Sequence, residues 1–168
     1  MSLYLIANGP MPTTAAQAVV TTGTAIKTML QIKPFNLCRI VEWGISFDGS
    51  AAATPIKCEL LETGTVFGTV TASADVDITK LGPNIADIAA ASVAGLTQGT
   101  SATGYTCTSE GNTAAVRMLD VQLIAPTGQY VKQFPLGREP VIAIGAAGRI
   151  RVTAGAAVNA YCYMVLDI

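Results

Sequence analysis

Along most of the chain, apolar residues return at every second position in short runs that Gly, Pro, Asn and Asp interrupt. Alternation of this kind puts one row of side chains on each face of an extended strand, so it predicts half-buried strands rather than helices. The clearest run is 37–47, in which Val41, Trp43, Ile45 and Phe47 alternate with Glu42, Gly44 and Ser46. It predicts one apolar and one mixed face, with Trp43 anchoring the core. Residues 56–63 repeat the pattern, Ile56, Cys58 and Leu60 against Lys57, Glu59 and Leu61. Further strands are predicted over 25–32, 66–72, 104–109, 114–124, 129–135, 141–144, 149–154 and 158–168, with Ile150 and Val152 facing in and Arg149 and Arg151 facing out. Turn chemistry lies between the runs, as in Lys33-Pro34-Phe35-Asn36, Asp48-Gly49-Ser50, Glu110-Gly111-Asn112, Pro126-Thr127-Gly128 and Gly137-Arg138-Glu139-Pro140. Strands spaced roughly 8–12 residues apart, with no alternating helices, predict an all-β antiparallel sandwich or barrel.

Two segments depart from the pattern. Residues 1–25 read as an extended N-terminal arm, with 26–168 forming a single β-sandwich domain. Leu3, Tyr4, Leu5 and Ile6 are apolar, Pro10 and Pro12 then break regular structure, and no clear period follows. Such a segment is costly to leave in water, so it either adds a strand to its own sheet or lies on a neighbouring subunit. Residues 73–102 read as a long loop across one end of the sandwich or as a short helix. That helix would start at Pro83-Asn84, carry Ile85, Ile88, Ala89 and Leu96, and have Gly95 near its end. Asp75 and Asp77 form a lone DxD without the downstream Gly and Glu of a calcium loop, and are expected to be solvated turn carboxylates.

Composition narrows the function. The chain has 168 residues, no histidine, 12% charged residues and a formal net charge of −1. Without histidine there is no side chain that ordinarily titrates near neutral pH, and Ser-His or Cys-His nucleophilic pairs are excluded. No enzyme activity is expected. A carboxylate pair, Glu59 with Glu62 or Glu42 with Glu59, is not excluded by composition. Alternation nevertheless puts Glu42 and Glu59 on an outward face, where ion pairs with Lys57 or Arg39 are the ordinary outcome. Gly145-Ala146-Ala147-Gly148 lacks the Lys-Ser/Thr of a phosphate loop and reads as a turn. The ten cations are dispersed, which argues against direct nucleic-acid binding. Cys38, Cys58, Cys107 and Cys162 fit no CxxC or zinc spacing, so neither a metal nor any other cofactor is expected. They read as buried thiols, with a disulfide between neighbouring strands as the alternative. The sequence MSLYLIANGPMPTT lacks the basic n-region of a signal peptide, and no apolar run approaches the ~20 residues that span a bilayer, so synthesis and folding in a cytoplasm are expected, with no membrane partner.

A hydrophobic content of 51% is high for a soluble monomer and predicts an oligomer or a subunit of an assembly. Residues 129–140, QYVKQFPLGREP, concentrate aromatic and charged residues in a chain poor in both. They are either a core strand with a Pro-rich turn or an interface, where aromatics and Arg are enriched. The candidate partner contacts are Leu3, Tyr4, Leu5, Ile6 and Met11 in the arm, and Tyr130, Phe134, Arg138 and Glu139 near this turn.

The stretches RIVEWGISFDGSAAATPIKCELLET (39–63), TGYTCTSEGNTAAVRMLD (103–120), QYVKQFPLGREPV (129–141) and GRIRVTAGAAVNAYCYMVLDI (148–168) resemble a family of small virion proteins of tailed bacteriophages, the head decoration or cement proteins. The resemblance implies a jelly-roll-like sandwich on the outer capsid surface, made in the host cytoplasm. It further implies a symmetric homo-oligomer, a trimer being favoured, that stabilises the head by bridging major capsid protein subunits. Two other readings stand beside it. One is a carbohydrate-binding module for virion adhesion, which needs an exposed aromatic platform. The other is a tail or minor head structural subunit.

Overall fold

The computed structural model describes residues 2–12, 14–49, 54–82, 95–111 and 113–168. Short alternating segments pair into two antiparallel sheets that face each other. Sheet A runs in space from β10 (Gln129–Gln133) through β4 (Cys38–Asp48), β13 (Asn159–Asp167) and β1 (Leu3–Ala7) to β7 (Ile78–Leu81). Two short strands join it, β11 (Val141–Ile142) on β4 and β2 (Val20–Thr21) on β13. Sheet B runs β6 (Thr69–Ala72), β8 (Gly104–Ser109), β3 (Lys27–Ile32), β12 (Gly148–Thr153), β5 (Ile56–Glu62), β9 (Arg117–Ile124). Eight strands pair in a nested series, β1 with β13, β3 with β12, β4 with β10 and β5 with β9. That is the order obtained by folding one long hairpin over on itself. Among the described residues there is no α-helix, only a 3-10 turn at Asp75–Asp77.

The inward rows fill the space between the sheets. Trp43, Ile45, Cys162, Met164 and Leu166 come from sheet A, and Leu30, Ile32, Ile56, Leu60, Ile150 and Val152 from sheet B, all essentially without solvent contact. Burying each of the larger ones contributes about 1.5–3 kcal/mol, and these terms, rather than any metal or disulfide, hold the layers together.

The structure corrects three expectations. The first strand is not an arm reaching to a neighbour: β1 lies inside sheet A, Leu5 pairing with Val165 on one side and Thr79 on the other. Its alternation sends Tyr4 and Ile6 into the core, 3% and 0% exposed, so neither is available as a partner contact. The second correction concerns β4. A bulge against β13 between Val165 and Leu166 shifts the phase at Val41, so Ile40 and Cys38 point inward in the first part of the strand, and Val41 does not. Third, the 73–102 region contains a strand, β7, which closes the outer edge of sheet A beside β1. The helix expected from Pro83-Asn84 falls on residues 83–94, outside the described residues. Leu96 is buried, following Gly95 at φ +66°, a left-handed conformation that favours glycine.

Candidate functional site

The outer face of sheet B carries charge, yet it is covered. Arg149 and Arg151 face away from the core as the alternation requires, but residues 64–68, 110–111 and 113–116 of the neighbouring connections lie over them. Arg149 donates from Nη1 to the Glu110 carbonyl at 3.0 Å and from Nη2 to the Val66 carbonyl at 2.7 Å, and pairs with the Glu110 carboxylate at 3.6 Å. Glu110 in turn accepts from the Thr28 backbone N–H and hydroxyl, both at 2.6 Å. Arg151 is bonded to Glu59 at 2.8 Å and also reaches the Thr113 carbonyl. Gln31 closes the same layer, its amide exchanging hydrogen bonds with Gly68. These side chains fasten a strap to the sheet. Arg149 and Arg151 each meet a carboxylate here, and the layer ties the connections to the sheet.

The paired-acid possibilities dissolve in the same way. Glu42 and Glu59 are not on adjacent strands; they lie on the outer faces of different sheets, on opposite sides of the sandwich. Glu42 accepts from the Tyr163 hydroxyl at 2.7 Å. Glu59 pairs with Lys57 at 3.5 Å, as expected, and more closely with Arg151. Glu62 pairs with Arg117, and Arg39 with Asp167 at 3.5 Å. Asp77 is not a solvated turn carboxylate: it is buried, accepting from the N–H groups of Met11 at 2.8 Å and Ala74 at 2.7 Å. Among the described residues, no group of three or more Cys, Asp or Glu is placed to hold a metal ion. All four cysteines are free and buried, and burial pushes Cys38 and Cys58 up to about 12 and Cys107 to about 11, which keeps them as unreactive thiols.

Where the edges of the two sheets meet, Asp120 on β9 points between the layers. Its carboxylate accepts from Trp43 Nε1 at 3.2 Å, the Tyr130 hydroxyl at 3.0 Å and Gln122 Nε2 at 3.1 Å, and pairs with Lys132 at 3.4 Å. Burial alone would raise its pKa, but the bonds from Gln122 and Tyr130 and the Lys132 charge outweigh that and hold it below the usual carboxylate value. Tyr130 is therefore a clamp between sheets, its ring 5.4 Å from that of Trp43. Phe134 also packs against the core.

One group of exposed apolar side chains gathers at an end of the sandwich. Backbone hydrogen bonds gather three connections there: Gly145 N–H donates to the Pro34 carbonyl at 2.8 Å, Ala147 N–H to the Gly64 carbonyl at 2.8 Å, and Val116 N–H to the Glu62 carbonyl at 2.7 Å. Arg117 reaches the Val141 carbonyl and ties the start of β9 to the same place. Phe35, Leu37, Val116, Met118 and Ile144 project from these segments into solvent. On the adjoining flank, the turn after β10 closes with Arg138 N–H bonded to the Pro135 carbonyl at 2.9 Å, and Glu139 accepts from Gly137 N–H at 3.1 Å. Gly137 sits at φ +77°, which bends the chain so that Leu136 stands 92% exposed at the tip. A braced turn holding a bare leucine outward is expensive in water and useful at a contact, where burying such a side chain returns about 1.5–3 kcal/mol.

Of the candidate contacts from the sequence, Arg138 is exposed and Glu139 half-buried on this flank, whereas Tyr130 and Phe134 face inward. Leu3 is exposed and lies, through Asp167 and Arg39, in register with Val141 toward this end, whereas Met11 is exposed and Leu5 half-buried further along the chain. Sequence reasoning missed Leu136 and Ile144; the Pro135-Leu136-Gly137 triplet, an apolar residue inside turn chemistry, was the available signal for the first. Val116 and Met118, which alternation in the strand predicted over 114–124 puts toward the core, are instead 65% and 63% exposed, which corrects that expectation. No helix among the described residues is long and apolar enough to cross a membrane. Family models, curated proteins and solved structures all give no match to this chain.

Proposed function

We propose that this protein is a virion structural subunit of a tailed bacteriophage, which decorates the outside of the head and stabilises it by bridging major capsid protein subunits. It acts by binding, with no catalytic step. The observation that carries this reading is the apolar end with its braced Leu136 turn, because a sandwich with a complete core has no other use for so many bare aliphatic side chains in one place. The nested strand pairing supports reading the sandwich as a jelly roll, the architecture that the resemblance of 39–63, 103–120, 129–141 and 148–168 implies. A clamp of this kind needs only modest affinity per contact, since a homo-oligomer, a trimer above all, touching several shell subunits gains effective concentration at each further site.

Leu136→Asp and Ile144→Asp, each placed on a solvent-facing position, test it on undecorated heads. Both variants are expected to keep the wild-type unfolding temperature and to lose most of their occupancy on the heads. Wild-type occupancy by both, or absence of this chain from purified particles in electron micrographs, overturns the reading.

A further inference from the structure

The outer face of sheet A, remote from the apolar end, has a different character. On β13, Tyr161 and Tyr163 are two residues apart and so share the face turned away from the core. Their ring centroids are 6.2 Å apart, with the planes inclined by 34°. Directly opposite Tyr163 on β4 is Gly44, where a Cβ would come within 2.5 Å of the tyrosine ring. The missing side chain lets the ring lie against the sheet with its other face toward solvent. The Tyr163 hydroxyl donates to Glu42 at 2.7 Å, and burial together with that bond raises the phenol to about 12, so the ring is pinned and protonated.

Hollows flank Tyr161 on both sides. One, of 170 Å³, is lined by Tyr161 and Tyr163 with Ser46, Gln129 and Val131. The other, of 340 Å³, is lined by Tyr161 with Leu5, Met11, Gln17 and Thr79 among others. These residues come from β10, β4, β13, β1 and β7 in their order across the sheet, so the hollows line up as a trough crossing the strands with the tyrosines at its middle. Gln17 Nε2, in the larger hollow, is buried with no hydrogen-bond partner among the described residues. Among the described residues no Lys or Arg lines either hollow, Asp77 lines the larger one and Glu42 holds the Tyr163 hydroxyl beside the smaller.

We propose that this trough binds a neutral saccharide. A sugar ring offers a C–H face that packs on an aromatic face and a rim of hydroxyls that need donors and acceptors. The tyrosines supply the first, and Ser46, Gln129, Thr79 and the orphaned Gln17 amide supply the second. With carboxylates at the hollows and no cation among their described lining, sialylated, sulfated or uronic sugars are disfavoured, which makes the class neutral. Leu5 and Met11, expected from the sequence to touch a partner, would touch this one. The site stands independently of the capsid reading, because it uses none of the residues at the apolar end.

The test is a titration of the folded protein with maltotriose, cellotriose, chitotriose, sialyllactose and a sulfated disaccharide, followed by backbone amide shifts. At least one neutral sugar is expected to saturate at millimolar concentration, with shifts confined to the trough. Tyr161→Ala and Gly44→Val, the latter displacing the Tyr163 ring, should each weaken it by about ten-fold, while Tyr161→Phe stays within about two-fold because the stacking face survives. Unfolding temperatures of the variants identify any that fail to fold, and Tyr161→Phe against Tyr161→Ala remains decisive among those that do. Absence of saturation by every neutral sugar, preference for the anionic ones, or wild-type affinity in Tyr161→Ala overturns the proposal.

Discussion

Replacing Asp120 with alanine should weaken the sandwich at the edge where its two layers meet. The substitution removes the acceptor for Trp43, Tyr130 and Gln122 and the counter-charge of Lys132 in one step. Tyr130, Gln122 and Lys132 are partly exposed and regain water. Trp43 is 0% exposed and cannot, so its indole N–H is left buried without a partner. An orphaned buried donor costs about 1–3 kcal/mol, and the lost charge-assisted bonds from the wetter groups add to it, giving about 3 kcal/mol in total. In a domain of this length each kcal/mol lowers the unfolding midpoint by about 2–4 °C, so a fall of about 6–12 °C is expected. Asp120→Asn keeps an oxygen where Trp43 and Tyr130 donate but turns an amide toward Gln122, and should lose about 1 kcal/mol. The chain's single tryptophan is the one concerned, so urea unfolding followed by its fluorescence reads the site directly. In a Trp43→Phe background, where unfolding is followed by far-UV circular dichroism in place of the lost tryptophan signal, the Asp120→Ala penalty should shrink by about 1 kcal/mol, because the orphaned donor is gone. Additive penalties, or an Asp120→Ala midpoint within about 0.5 kcal/mol of wild type, would refute the clamp.

Acid should act on the same carboxylate. Its folded pKa lies below the ordinary 3.8, so its stabilisation is complete above that value and is lost as the pH falls through the folded one; the stability gap between wild type and Asp120→Asn is expected to close below about pH 4 in urea midpoints. Arg149→Met removes a wholly buried guanidinium and leaves Glu110 without its cation, so a loss of about 3 kcal/mol is expected, with faster amide exchange in 64–68, 110–111 and 113–116 as the strap lifts. Deleting residues 2–8 should abolish the native fold by near-UV circular dichroism, since it strips Tyr4 and Ile6 from the core, leaves β7 without a partner and bares one edge of β13; a folded truncated chain would show that β1 is dispensable.

The strands of the central run were legible because period two is a local property. Residues 37–47, 56–63 and 104–109 fold almost where alternation puts them, as β4, β5 and β8. Local pattern fails where a distant segment decides. Val41 lost its inward place to a bulge against β13, more than a hundred residues away in sequence. Arg149 and Arg151 do face outward, yet they are buried because Glu110, Val66 and Thr113 fold over them, contacts that no window of sequence contains. Leu3–Ile6 satisfied two readings equally, an added strand or a borrowed one, and only the vacancy between β13 and β7 selects the first. Tyr161 and Tyr163 passed as ordinary strand residues because their significance depends on Gly44, which sits opposite only after the sheet forms.

The nesting of strand pairs has a consequence for synthesis. Leu3 meets Asp167, and Ser2 and Ile168 exchange backbone hydrogen bonds at 3.0 and 3.1 Å, so the earliest of these strands to leave the ribosome must wait for the last. At about 5–20 residues per second that delay is on the order of ten seconds or more, during which β7 is the one neighbour β1 can find in its sheet. Such distant pairing also makes spontaneous folding slow. A nascent chain of this design is a ready client for a chaperone that shields β1, and sheet A is completed only when β13 slots between β4 and β1.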